Sequence, residues 1–308
     1  MVEVLLEVLP LFFLVTLGFL FKSKFTYSDI CIKYLTRFVM YVALPAVLLE
    51  KLGTTKINEL IEFSFLFSYL ISFFIVMLIS VLFIYFVFSK DIKFSVMLGL
   101  GGVYGNIGFL AIPVLSLSLG EWVSVPLALM LTLDLLILLP VSTFLLKFNS
   151  NTEKSNMTLL KTLSRSFLNP LILSIVVAFI LSIFQMTLPS NIIDGLSFLG
   201  SAAGPCAMFI VGTAIYGRKI SSKPIAAAYI STVKLIVMPL VVYIFMNLLS
   251  VKSEWIIAAT LGAAMPCAAV LSVIAEEHKT IPQQVSAAVL VTTIFSVFTV
   301  PFLIFIFS

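Results

Sequence analysis

Runs of about 20 apolar residues, each closed by a short polar stop, follow one another along this whole chain. PLFFLVTLGFLF stops at Lys22-Ser-Lys24, and FSFLFSYLISFFIVMLISVLFIYFVF stops at Ser89-Lys90-Asp91. A helix of that length crosses the hydrocarbon of a bilayer. Spans are expected near residues 5–21, 34–50, 62–88, 94–118, 122–146, 167–185, 192–216, 224–250, 254–275 and 282–307. The fold class is therefore an all-α polytopic membrane protein with ten transmembrane helices. Composition agrees: hydrophobic residues are 61 % and charged residues 10 %, with mean hydropathy +1.22. A soluble domain carries about 25 % charged residues, so this surface must face lipid. The 308 residues leave no room for a soluble catalytic domain.

Loop charge gives the spans a direction. Lys22, Lys24, Lys33, Arg37, Lys90, Lys93, Lys147, Lys154, Lys161, Arg165, Arg218, Lys219, Lys223 and Lys279 fall on one side; only Lys51, Lys56 and Lys252 fall on the other. Positive loops stay in the cytoplasm, which leaves both termini outside. The net charge of +4 is thus a matter of topology and points to no nucleic-acid partner. Glu3 and Glu7, with no basic residue before Pro10, argue against a cleaved leader, so the first span is retained. Trp122 and Trp255, at the outer starts of spans 5 and 9, read as interfacial anchors.

An offset of 160 residues aligns the two halves without a gap: Pro10 with Pro170, Phe38 with Phe198, Pro45 with Pro205, Gly102 with Gly262 and Thr132 with Thr292. Five spans per half is an odd number, so the second half enters from the opposite side. That makes two inverted five-helix repeats, residues 1–146 and 167–308, joined by a polar cytoplasmic linker at 147–166. Inverted repeats are a recurrent construction of secondary transporters.

Span 4 holds the most informative stretch, GLGGVYGNIGFLAIP from Gly99 to Pro113. Glycine costs about 1 kcal/mol in a helix relative to alanine, and proline about 3, so this helix opens partway. The freed backbone must face protein or a wet cavity, and the half-helix after the break aims N–H groups of positive partial charge into it. Gly105 and Asn106 sit at the break, with Asn106 adding a neutral donor and acceptor. The set suits a carboxylate. Close packing through small residues explains the glycines without any ligand. At the 160-residue offset Asn106 meets Pro266, in GAAMPCAA, a second break. Two broken helices at matching positions point to a substrate site.

GNIGFLAIP resembles the asparagine-glycine-proline stretch of the auxin efflux carrier family, which includes plant PIN carriers and bacterial transporters. The ten-span plan, outside termini, central linker and Pro266-Cys267 are similar too. The resemblance implies the bile-acid symporter/PIN-like fold, with helices 1, 2, 6 and 7 as scaffold, helices 3–5 and 8–10 as a mobile transport domain, and helices 4 and 9 crossing. It implies export of organic anions, auxin in plants and dicarboxylates such as malate or malonate in some bacteria, and a homodimer. The short linker points to a bacterial-type member in the cell membrane. Pro45, Gly105, Asn106, Ile107, Pro266 and Cys267 are then the expected substrate-binding residues.

Asp134 and Lys234 lie deep inside spans 5 and 8, where a charge must face the interior and find a partner. They are candidates for ion or proton coupling, as a mutual pair or as static buried groups. Cys206 and Cys267 each follow a proline and read as small apolar fillers. No cofactor or metal is expected: Cys31, Cys206 and Cys267 match no zinc or disulfide spacing, and His278 is the only histidine. The best reading is a secondary carrier of small organic anions, with membrane lipid as its solvent. A sodium- or proton-coupled importer, and below it a channel, are the alternatives. An intramembrane aspartyl protease would need a second membrane aspartate beside Asp134.

Overall fold

The computed structural model of the chain describes residues 2–25, 28–56, 62–147, 170–216 and 224–307. The expected linker at 147–166 lies almost wholly outside them, as do Arg218, Lys219 and Lys223. Among the described residues the protein is all-helical, with twelve helices. They are α1 (Val2–Lys24), α2 (Asp29–Gly53), α3 (Phe63–Val87), α4 (Ile92–Val103), α5 (Ile107–Leu119), α6 (Glu121–Leu146), α7 (Pro170–Ile183), α8 (Ser190–Ile215), α9 (Ile225–Leu248), α10 (Ser253–Ala263), α11 (Val270–Glu277) and α12 (Pro282–Phe307). Six of these, α2, α3, α6, α8, α9 and α12, are long and apolar enough to cross a membrane. The apolar runs expected as spans 4 and 9 are each split, into α4/α5 and α10/α11.

Four of the prolines in the helices share one local pattern. Pro45, Pro113, Pro140 and Pro239 each follow a five-residue π-helical turn: Val39–Ala43, Ile107–Ala111, Asp134–Leu138 and Val233–Val237. A proline ring clashes with the carbonyl four residues earlier and offers no N–H in return. Widening the preceding turn to i→i+5 bonding moves that carbonyl aside while the helix continues. Asp134 and Lys234 both lie in such turns.

Glycine sets the closest helix contacts. α1 runs against α8 so tightly that a Cβ at Gly18 would collide with the carbonyl of Phe209, and one at Gly212 with the carbonyl of Val15. α2 packs on α7 in a similar way, with Gly53 against Ala178 and Leu181. α3 lies between α4 and α9, with the small residues Ser68 and Ser72 toward α9; the Ser68 hydroxyl reaches the Phe245 carbonyl at 3.3 Å. α9 also packs on α10 and α12, and α11 on α12. α5 contacts both α1 and α8. At one end of the bundle the Lys51 ammonium on α2 sits between Glu50 at 3.0 Å and Glu121 of α6 at 3.1 Å.

One of the two tryptophans departs from expectation. Trp122 is 38 % exposed, its indole N–H donating to the Leu119 carbonyl at 2.7 Å. Trp255 is only 8 % exposed, because α10 begins beside α3 and the ring packs edge-on to Phe65 with centroids 5.0 Å apart. It is a core residue rather than an interfacial anchor.

Replacing Gly212 by Leu forces α1 and α8 apart. The variant is expected to lose its monodisperse gel-filtration peak, whereas Gly195→Ala, with nothing within 4 Å of the added Cβ, keeps it.

Candidate functional site

The two interruptions meet. Residues 104–106 and 266–268 run antiparallel as a short backbone pairing around Gly105 and Cys267. The Asn106 N–H donates to the Pro266 carbonyl at 2.9 Å, and the Ala268 N–H to the Tyr104 carbonyl at 3.3 Å. Four helix ends converge here: the C-terminal ends of α4 and α10 and the N-terminal starts of α5 and α11. The ends of a helix leave backbone groups without intrahelical partners, and each carries a partial charge, negative at the C-terminus and positive at the N-terminus.

Lys234 deals with both negative ends. Its ammonium, fully buried, donates to the carbonyl of Val103, the last residue of α4, at 3.1 Å and to that of Ala263, the last residue of α10, at 2.7 Å. Gly101 and Gly102 of α4, with Gly105 in the break, make the approach possible. A Cβ at Gly105 would stand 2.8 Å from the Lys234 ammonium, one at Gly102 2.6 Å from Val233, and one at Gly101 3.0 Å from Ile230. The glycine-rich stretch therefore serves packing against α9 and the break at once. Cys267 is a buried filler at the crossing: its N–H donates to the Thr292 hydroxyl at 3.2 Å and its thiol to the Gly101 carbonyl at 3.2 Å.

The positive end of α5 is arranged differently. The Leu110 and Ala111 N–H groups return to the Asn106 carbonyl at 3.1 and 3.2 Å, while the N–H groups from Ile107 to Phe109 are the ones a helix start leaves over. Asn106 is 8 % exposed, and its side chain makes no capping hydrogen bond to the start of α5. Ile107, Gly105 and Pro266 are buried around it. Pro45 is buried on α2, one residue from Leu44, which with Leu131 of α6 bounds the space at Gly108. All six expected binding residues are thus buried, and five of them belong to the crossing itself.

Asp134 and Lys234 form no ion pair with each other; the ion pairs among the described residues are Lys22–Asp29, Lys51–Glu50 and Lys51–Glu121. Asp134 instead accepts a hydrogen bond from the Tyr69 hydroxyl of α3 at 2.7 Å, and its second carboxylate oxygen is buried without a partner. Tyr69 and Thr292 were not singled out as site residues from sequence. A lone tyrosine early in the Phe- and Ile-rich α3, and the match of Thr292 with Thr132 across the repeat, were the available signals. Among the described residues no group of three or more His, Cys, Asp or Glu is placed to hold a metal ion.

A family model described as membrane transport protein matches residues 3–304. The chain belongs to that family, the auxin efflux carrier family. A protein of Rhizobium meliloti (strain 1021) named "Putative malonate transporter" is 29 % identical over 312 residues, spanning 99 % of this chain and 96 % of its own. Family and relative alike are transporters rather than enzymes. The family and the apolar helices together make this carrier-family member an integral membrane protein.

Hydrogen bonds from a charged donor contribute about 1.5–3 kcal/mol each. Lys234→Met, which keeps the bulk and removes two of them, is expected to lower stability by about 3 kcal/mol or more, read as a fall in melting temperature in detergent.

Proposed function

We propose that the protein is a secondary carrier of small organic anions, mono- or dicarboxylates, that works by alternating access at the crossing of α4/α5 and α10/α11. The observation that carries this reading is Asn106 at the start of α5, a residue 8 % exposed whose side chain makes no capping hydrogen bond to the helix. A carboxylate there accepts from the amide N–H and from the leading N–H groups of the helix, whose dipole favours negative charge. Lys234 occupies the opposing negative ends, so they neither repel the anion nor compete for its position. The name of the Rhizobium relative supports a dicarboxylate such as malonate within this class.

The repeat supports alternating access. The two breaks stand at the same 160-residue offset that aligns the halves. The tight pairs α1–α8 and α2–α7 also match across it, Gly18 standing to Ala178 nearly as Gly53 stands to Gly212. In this reading α4/α5 and α10/α11 each count as one span, ten spans form two inverted sets of five, α1, α2, α7 and α8 are the scaffold, and the remaining helices move against it. Both termini lie outside a bacterial cell membrane. The basic cytoplasmic loops gather anions on the side from which they are exported.

Coupling to protons is favoured by the buried carboxylate oxygen of Asp134 that has no partner. A proton carried there, with Tyr69 holding the other oxygen, makes transport pH-dependent without a metal site.

A thermal-shift screen of the purified protein against mono- and dicarboxylates tests the site: one anion should raise the melting temperature, and Asn106→Ala should remove that rise. Stabilisation that survives Asn106→Ala moves the site away from α5. In proteoliposomes, Asp134→Asn should flatten the pH dependence of transport; an unchanged profile ends the coupling role of Asp134.

A further inference from the structure

A cavity of about 280 Å³ lies between the α1–α8 pair on one side and α5 and α12 on the other. Its inner end is closed by Leu110, one turn beyond Asn106, and by Met265, next to Pro266. Val15 and Val211 form the α1–α8 wall. The outer wall is Ile294 and Phe298 of α12, 48 % and 69 % exposed halfway along a 26-residue apolar helix, where the surroundings are lipid.

The lining has no spare polar group. Its hydroxyl side chains, Thr293 and Ser296, donate back into their own helix, to Val289 at 2.6 Å and Thr293 at 2.7 Å. The volume equals the liquid share of about nine waters. A water in a cavity needs two to four polar partners, and an apolar cavity of about 150 Å³ stays dry and takes apolar ligands. A carboxylate inside would lack both charge partner and hydrogen bonds. The occupant must therefore be apolar, and must come sideways, past α12. Only an acyl chain is present there in quantity.

We propose that this cavity takes the acyl chain of a membrane phospholipid, which enters past Ile294 and Phe298 and lies between α1–α8 and α5–α12, its tip against the turn that follows Asn106. A chain in this position is packed against both halves of the crossing, so its length and unsaturation set how easily α5 and α12 shift relative to α1 and α8. The inference does not depend on which solute is carried.

The full chain is reconstituted in nanodiscs of phosphatidylglycerol and phosphatidylethanolamine bearing a diazirine near the end of one acyl chain. After illumination, peptide mass spectrometry maps the adducts. The expected result is labelling of Val211 or Met208, both buried behind α12, together with outward residues such as Phe302. Val297→Trp, which fills the cavity from α12, should abolish the inner adducts and keep those at Phe302. Val114→Phe narrows the cavity from α5 and should do the same; gel filtration confirms that either variant is folded. Labelling confined to outward residues overturns the proposal. So do inner adducts that persist in both variants, and so does their loss on adding benzoate, which would give the cavity to the apolar part of a solute. No arm reads transport, so a failure here leaves the anion site at Asn106 untouched.

Discussion

Helix ends in the interior of a membrane protein are the constraint on which this structure turns. Water is not there to bond the leftover N–H and C=O groups, and lipid cannot. The chain brings four such ends together and treats them by sign. Backbone pairing between residues 104–106 and 266–268 satisfies a few groups directly. A single ammonium takes a carbonyl from each negative end. The start of α5 keeps leading N–H groups that a helix does not bond itself, next to Asn106, whose side chain does not cap them. Cancelling the positive end as well would take an acidic side chain at the start of α5, and in the proposed function that place is left for the anion.

α9 is the element that makes the crossing hold. Its side chains Ile230, Val233 and Lys234 fill the space left by Gly101 and Gly102 of α4 and by Gly105 in the break that follows it. The π-helical turn at Val233–Val237, forced by Pro239, turns the lysine within reach of both carbonyls. The same proline-driven turn at Asp134–Leu138 presents the carboxylate of α6 to Tyr69 of α3. A widened turn ahead of each of two prolines thus carries both interior charges to their partners.

The apolar runs were legible from sequence because lipid imposes one rule on every lipid-facing residue. The boundaries of α12 agree with the expected 282–307, and α6 with 122–146 to within one residue. The breaks were legible at Asn106 and Pro266 because glycine and proline announce them. The partner of Lys234 was not, because sequence reasoning matches charged side chains with charged side chains. The groups that hold Lys234 are backbone carbonyls, which every residue has, and they become charge-like only once two helices end beside one another. Asp134 escaped for a related reason: its donor, Tyr69, is one aromatic among the many of α3. Trp255 looked like an anchor because its place in sequence is at the start of a span, yet α3 covers that start.

Lys234 also has a history to live through during synthesis. The chain is made from its N-terminus, so α9 enters the bilayer after α4 but before α10. At that moment the ammonium has the Val103 carbonyl available and lacks that of Ala263. A charge at the centre of a span costs about 2.5–3.5 kcal/mol on insertion scales, and half its compensation has yet to be translated. The lysine therefore makes arrival of α10 the event that closes the bundle: until the second broken helix is threaded in, α9 is held in place by its neighbours α3 and α4 against its own tendency to slip toward the surface.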